Sequence, residues 1–280
     1  MNGVLLVEKP AKFTSFDCVE KVKNILKNKE KVGHAGNLAP FCSGVLPIMI
    51  GKATKLFEVL IKNERTYIGE YRLGIETDTW DSNGKVITSN KNIQVEESSI
   101  MKSFKVYQGG YLQKNYFNEN DRKEKKAEIE HFVELHNVEI LNIQDDSVLF
   151  LIEIGKDFDI KSYLRDVSLH LGTKGVLYSL KRIKFGRFKL KDSVVLDEIK
   201  KIDDIKNNLI NIKNATSHMS TIKVNEKIKR RVLNGNKLNL KMFDNIYGFT
   251  RILSRREKVL AIGRVENGKF DYISVLGEVV

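Results

Sequence analysis

The side chains best suited to chemistry are few in this 280-residue chain. Its two cysteines, Cys18 and Cys42, form no Cys-x-x-Cys pair, and its five histidines show no ligand spacing. Neither a structural zinc nor a disulfide framework is therefore expected. Glycine, histidine and lysine gather instead in one stretch, Lys31-Val32-Gly33-His34-Ala35-Gly36-Asn37-Leu38-Ala39-Pro40. Ser43-Gly44-Val45-Leu46-Pro47 and Gly51-Lys52-Ala53-Thr54-Lys55 follow it closely. A net charge of +12 makes a polyanion the natural partner of such a chain, although charge alone does not separate RNA from DNA or an acidic membrane.

The flanking sequence must supply the elements that hold this stretch. Gly3 to Val7 is a short apolar run stopped by Glu8-Lys9-Pro10, a strand entering a turn. Thr14 stands three residues before Asp17, with Phe16, Val19, Val22, Ile25 and Leu26 at helical spacing, which predicts a capped helix to about Lys27. Strands are expected at Thr66 to Leu73 and Gly84 to Thr88, around the turn Asp78 to Asn83, and again at Val138 to Ile143 and Val148 to Ile154. A helix is expected from Ile160 to Leu171. The mixture implies an α+β sheet domain over residues 1–217, with a divergent charged insert at 105–135 whose 118–131 stretch reads as a solvated helix or loop.

Beyond an Asn- and Lys-rich shift near 200–220, strand-like runs at Phe249 to Leu253, Val259 to Val265 and Phe270 to Leu276 alternate with glycines, as in a small β-barrel over residues 218–280. That segment holds 13 Lys and Arg against 6 Asp and Glu, a surplus of +7 out of the total +12, which marks it as an RNA-contacting appendage. The apolar runs, such as Val45 to Ile50, fall far short of the roughly 20 residues that span a bilayer. With no basic leader at the N-terminus, a cytoplasmic location without membrane contact is expected.

The dense stretch resembles the signature of the bacterial tRNA pseudouridine synthase B (TruB) family. There the pattern is Lys-Val-Gly-His-x-Gly-Thr-Leu-Asp-Pro, then x-x-x-Gly-x-Leu and Gly-x-Ala-Thr-Lys. Glu8-Lys9-Pro10, Thr14-Ser15, Arg65-Thr66-Tyr67, Leu73-Gly74, Thr77-Asp78-Thr79 with Asp81, Leu180-Lys181-Arg182 and Gly186-Arg187-Phe188 agree in order and spacing. Asn234-Gly235 and Leu260-Ala261-Ile262-Gly263 are similar to the PUA-type RNA-binding domain that follows in this family. The resemblance implies a pseudouridine-synthase fold with a mixed, mainly antiparallel sheet flanked by helices, plus a PUA-like barrel. It further implies a monomer that takes the T-arm of tRNA at uridine 55, without metal or cofactor.

Isomerising uridine breaks the N1 to C1′ bond, turns the uracil and rejoins it through C5, on a base drawn out of its stack. The family uses an aspartate that attacks the sugar or removes a sugar proton. By resemblance Tyr67 stacks on the uracil, His34 contacts the T-loop, and Leu180 walls the apolar pocket. Ala39 stands at the aspartate's position, with Gly33, His34, Gly36, Leu38 and Pro40 fixing the offset. A methyl group can neither attack carbon nor accept a proton. Lys161 corresponds to the family's arginine, keeping its charge without the bidentate fork. The family's Pro-Pro-x-Tyr-Ser-Ala-x-Lys segment is not recognisable; Gln113 to Arg122 is the nearest region.

Those departures together favour a naturally divergent member over an engineered knockout. Three functions follow: a T-arm-binding protein with isomerisation impaired or lost, an active isomerase using Asp157 or Asp159 as replacement acid, and a general or ribosome-associated RNA-binding protein.

Overall fold

The computed structural model describes residues 1–62, 64–90, 94–114, 130–239 and 241–280. In chain order, β1 (Gly3–Lys9), α1 (Ser15–Ile25), β2 (Val32–His34) and β3 (Ser43–Ile50) lead through a 3-10 turn to α2 (Phe57–Leu60) and β4 (Arg65–Leu73). Then come β5 (Ile75–Thr77), β6 (Val86–Ser89), α3 (Glu97–Lys105), β7 (Gly109–Lys114), β8 (Glu130–Gln144), β9 (Ser147–Ile154), α4 (Ile160–Leu171) and β10 (Gly175–Phe185). After β11 (Phe188–Lys189), β12 (Val194–Val195), α5 (Ile202–Asn207), β13 (Leu209–Asn211) and α6 (Ile212–Ala215), the chain enters a second sheet. That sheet comprises β14 (Ser220–Val224), β15 (Leu238–Asn239), β16 (Gly248–Ser254), β17 (Val259–Glu266) and β18 (Lys269–Val279), with α7 (Glu226–Leu233) packed against it.

The main sheet runs β12-β1-β3-β10-β4-β9-β8-β7, mostly antiparallel, with β3 and β10 joined in parallel. Its central strands are buried on both faces, which is why β3 reads as a continuous apolar run rather than an alternating one. Leu46, Ile48 and Ile50 face the core under α1 and α4. Val45 and Met49 face a second core shared with Leu253, Val259, Ile262 and Leu276 of the C-terminal sheet. The C-terminal strands therefore cover the back of the main sheet.

Local signals fix the helices. Thr14 Oγ1 accepts from the Asp17 amide at 3.0 Å while the Asp17 carboxylate accepts from the Thr14 amide at 2.7 Å, a reciprocal cap. Cys18, Val19 and Val22 are the buried face of α1. At α4, Asp159 caps the start and Gly172, at φ 66°, ends the helix in the left-handed region that glycine tolerates.

Within the span expected as a divergent charged insert, Gly109–Lys114 and Glu130 onward pair as β7 and β8 at the sheet edge; most of the 118–131 stretch lies outside the described residues. The C-terminal strands of the expected small β-barrel form a path β14-β16-β17-β18-β15, with no pairing between β14 and β15 among the described residues. Hydrophobic alternation predicts strands, whereas closure depends on the geometry of their ends.

Arg182 sits at the centre of the main sheet and is fully buried. Its Nε donates to Val45 O at 2.9 Å, Nη1 to Asn37 O at 3.3 Å and Nη2 to Gly36 O at 3.2 Å. One side chain thereby ties down the loop between β2 and β3. Close approach is possible because Gly44, at φ 114°, pairs with Arg182 across the parallel ladder; a Cβ there would lie 2.2 Å from the Arg182 carbonyl oxygen. Arg182→Met should lower stability by about 3 kcal/mol by stranding one buried and two part-buried carbonyls. Gly44→Ala should cost a similar ~2–4 kcal/mol through strain and clash. Urea unfolding checks both, and a loss under about 0.5 kcal/mol in either variant would remove Arg182 from this role.

Candidate active site

The loop carrying Ala39 is held from three sides. Behind it is Arg182. Beneath it the Ser15 hydroxyl, in the first turn of α1, accepts from the Leu38 amide at 2.9 Å and donates to the Leu38 carbonyl at 3.3 Å. In front, the Lys12 amide donates to Pro40 O at 2.7 Å, and Cys42 N closes a turn onto Ala39 O at 3.0 Å. Ala39 is half-buried at the start of this turn, and together with Phe41 it packs on the cluster that contains Tyr67, Cys42 and Leu180.

Tyr67 and Leu180 reach that cluster from adjacent central strands. Tyr67 is buried on β4, opposite Arg182 of β10 and Ile152 of β9, and its side chain is a hydrogen-bonding neighbour of the Arg182 guanidinium. Leu180 faces Gly69 on β4, where the missing side chain leaves room for it and for Phe150; a Cβ on Gly69 would meet the Phe150 ring at 2.4 Å. His34 ends β2, opposite Ile48. Burial first, and Arg182 second, hold its imidazole below the ordinary histidine range. It is thus neutral at pH 7, and its buried Nδ1 has no hydrogen-bond partner among the described residues.

Lys161 lies in the first turn of α4, whose start is fixed by the buried Gln113. The Gln113 side chain accepts from the Asp159 amide at 2.8 Å and donates to the Asp159 carbonyl at 3.0 Å. Lys161 Nζ pairs with Asp81 Oδ2 at 3.0 Å, donates to Thr79 O at 3.1 Å and sits 5.9 Å from the centre of the Phe41 ring. The other oxygen of Asp81 accepts from Thr79 Oγ1 at 2.9 Å and from the Asn83 amide at 3.0 Å. This carboxylate is therefore bonded through both oxygens, and its side chain is only 8% exposed.

Sequence reasoning gave no site role to Asp81, Arg182 or Lys9. All three stand in the quoted motifs, but motif position does not say which carboxylate meets which cation. The Lys9 ammonium is buried, donating to Pro10 O at 3.0 Å and Phe13 O at 2.5 Å, and burial holds it below the ordinary lysine range. Lys9, Arg182, Asp81 and Lys161 all act on the Cys42 thiol, which burial pushes up to about 12. Cys42 is accordingly not a nucleophile at neutral pH.

The two proposed replacement acids do not join this group. Asp159 Oδ2 caps α4, accepting from Ser162 N at 3.1 Å and Ser162 Oγ at 2.6 Å. Asp157 is exposed, pairs with Lys156 at 3.7 Å, and occupies a left-handed turn at φ 62°. The Asp159 carboxylate is thus used in starting the helix, while that of Asp157 stands in solvent. No cluster of three or more His, Cys, Asp or Glu suited to a metal occurs among the described residues, and no described helix is long and apolar enough to cross a membrane.

What the site contains, then, is a buried aromatic, an apolar wall, a neutral histidine, one carboxylate tied to Lys161, and two buried cations held by backbone carbonyls, with a methyl at the loop's leading turn. Residues 23–160 match the model of the TruB family pseudouridylate synthase N-terminal domain. A tRNA pseudouridine synthase B of Clostridium acetobutylicum is 32% identical over 99% of this chain and 100% of its own length. Another, from Caldicellulosiruptor saccharolyticus, is 31% identical over 98% of each. In fold, the chain superposes on a chain of a Cbf5-Nop10-Gar1 complex with a TM-score of 0.78 at 22% identity, covering 99% of this chain and 85% of that one. It also superposes on a chain of an H/ACA RNP bound to a substrate RNA containing 2′-deoxyuridine, with a TM-score of 0.74 at 22% identity, covering 98% and 84%. With relatives above 30% identity along essentially its whole length, the chain belongs to the TruB family of tRNA pseudouridine synthases.

Proposed function

We propose that this protein binds the T-arm of tRNA at uridine 55, as a cytoplasmic monomer without metal or cofactor, and that its uridine-to-pseudouridine isomerisation is impaired or lost. One observation carries the second half: Ala39 occupies the turn where the family's aspartate stands, while Asp81 has both oxygens committed. In this reading Tyr67 stacks on the extruded uracil, Leu180 walls the base, and His34 touches the T-loop through an uncharged ring nitrogen. Lys161, at the position of the family's arginine, is engaged by Asp81. The segment from residue 218 supplies further cationic contact. A net charge of +12 supports RNA as partner, and the curated relatives are named for action on tRNA. The commitment of Asp159 to capping α4, and the exposure of Asp157 beside Lys156, weigh against the replacement-acid reading.

Mixing the protein with unmodified tRNA should give binding that weakens steeply with salt. Mass-shift labelling should find no pseudouridine at stoichiometric protein. Ala39→Asp should raise product formation by about 10²-fold or more, since it restores the missing carboxylate, and adding Lys161→Arg should raise it further by returning the bidentate fork. Multiple turnovers by the unsubstituted chain would reject the impaired half of this proposal, and absence of binding even at low salt would reject the whole.

The neutral state of His34 has a pH signature. Its folded pKa is below the ordinary 6.5, so the unfolded chain takes up this proton first as pH falls. Its contribution to stability is complete above about pH 6.5 and is lost as pH drops toward the folded value. In His34→Gln the fall in urea midpoint between pH 6.5 and 5 should be shallower than in the parent chain. An identical slope in the two proteins would contradict the neutral, buried imidazole.

A further inference from the structure

Beside the candidate active site lies a groove of about 580 Å³ between the β5–β6 turn and α4. We infer that it is a second nucleotide subsite, taking one unpaired nucleobase of the bound RNA against Trp80. This rests on the reading of the chain as an RNA-binding protein and deepens it.

The volume is within the roughly 300–1,000 Å³ of clefts that enclose small ligands. Its floor is the buried, apolar Leu164, Leu177 and Tyr71, and the Tyr71 hydroxyl is already satisfied by Ser168 and the Leu164 carbonyl. Above that floor stand a half-buried indole and Arg165, with Lys161 and Lys174 beside them paired to Asp81 and Glu76. The Arg165 guanidinium lies 4.6 Å from the centre of the Trp80 ring. An apolar floor, an aromatic plane and a guanidinium in one groove suit a nucleobase. Every base has a π-face to lay on an aromatic or guanidinium plane.

The indole is presented on a stiff turn. Trp80 sits at φ 56°, a backbone conformation that bulky residues rarely adopt. Hydrogen bonds hold it there: Trp80 N donates to Thr77 O at 3.3 Å, Leu177 N donates to Trp80 O at 3.2 Å, and the Asp81 carboxylate ties Thr79 and Asn83 on either side. Little further ordering is needed on binding, which favours affinity.

Continuity fixes the occupant. Lys161 lines the groove and also faces Phe41 in the Ala39 turn, so the two sites share a wall. A strand that places one base at Tyr67 has this groove beside it for another base of the same loop. At the rim Glu76 is paired with Lys174 at 3.0 Å and Asp78 Oδ1 accepts the Lys85 amide at 2.8 Å, so the groove is selective for the base rather than for its phosphate.

Trp80 is the sole tryptophan of the chain, so indole emission reports on this groove alone. The test titrates the full-length protein with T-arm stem-loop RNA, reading indole emission and the anisotropy of an end-labelled RNA in parallel. The two signals should saturate together. Trp80→Ala should weaken binding about tenfold, as expected for loss of one stacked base, while Trp80→Phe, which keeps an aromatic face, should stay within about twofold. Single abasic substitutions around the RNA loop should identify one nucleotide, other than uridine 55, whose loss abolishes the emission change. Urea midpoints of both variants separate lost stacking from a damaged turn. Rising anisotropy with unchanged emission, or full affinity in Trp80→Ala, would overturn the subsite and leave RNA binding intact. Flat anisotropy would instead overturn the RNA-binding reading and the subsite with it.

Discussion

A single buried guanidinium organises this site. Arg182 places a cation where water cannot reach and offsets that cost with three backbone carbonyls, those of Gly36, Asn37 and Val45. Carbonyls can satisfy its N–H groups without neutralising its charge, and burial accordingly pulls its pKa below the ordinary value. The arrangement works only because β3 and β10 run parallel at Gly44, which brings the loop against the strand. The conformation of the Lys31–Pro40 stretch thus depends on a residue nearly 150 positions away in the chain.

The charge pattern around the loop follows from that choice. Lys9, Lys161 and Arg182 converge on the buried Cys42, and Asp81 is the carboxylate that acts on it among them. A carboxylate at position 39 would add a second negative group to this set. With a methyl there, Asp81 carries the opposing charge, held by Lys161 and two further donors. Lysine suits the role because a single ammonium can meet one carboxylate oxygen and one carbonyl, whereas a guanidinium fork is matched to two parallel oxygens. The scaffold interactions of this loop, from Arg182, Ser15 and Lys12, do not pass through the side chain at 39.

The two sheets are likewise interdependent. Because Val45 and Met49 of β3 face the C-terminal strands, the site's central strands are covered on the back by Leu253, Val259, Ile262 and Leu276. The C-terminal segment, rich in Lys and Arg, therefore also completes the core under the site. Arg251, nearly buried, donates to Thr221 Oγ1 and to backbone between the two sheets, adding a polar tie to the apolar contact.

Much of this was legible in the residues themselves. Apolar runs and periodicity located β1, β4, β8, β9, the C-terminal strands, α1 and α4, because burial of one face is a local property of the sequence, but they did not mark the central strands β3 and β10. The Thr14–Asp17 cap was likewise visible at the start of α1. Motif order identified the family, since glycines and prolines mark backbone conformations that few residues allow. Tertiary structure alone decided that Asp81, more than forty residues from Ala39, meets Lys161 beside the Ala39 turn; that Asp159 is a helix cap rather than an acid; and that Arg182 is scaffold. Those outcomes depend on pairings between strands and loops far apart in sequence, and a linear pattern carries no information on which distant partner will satisfy a buried charge.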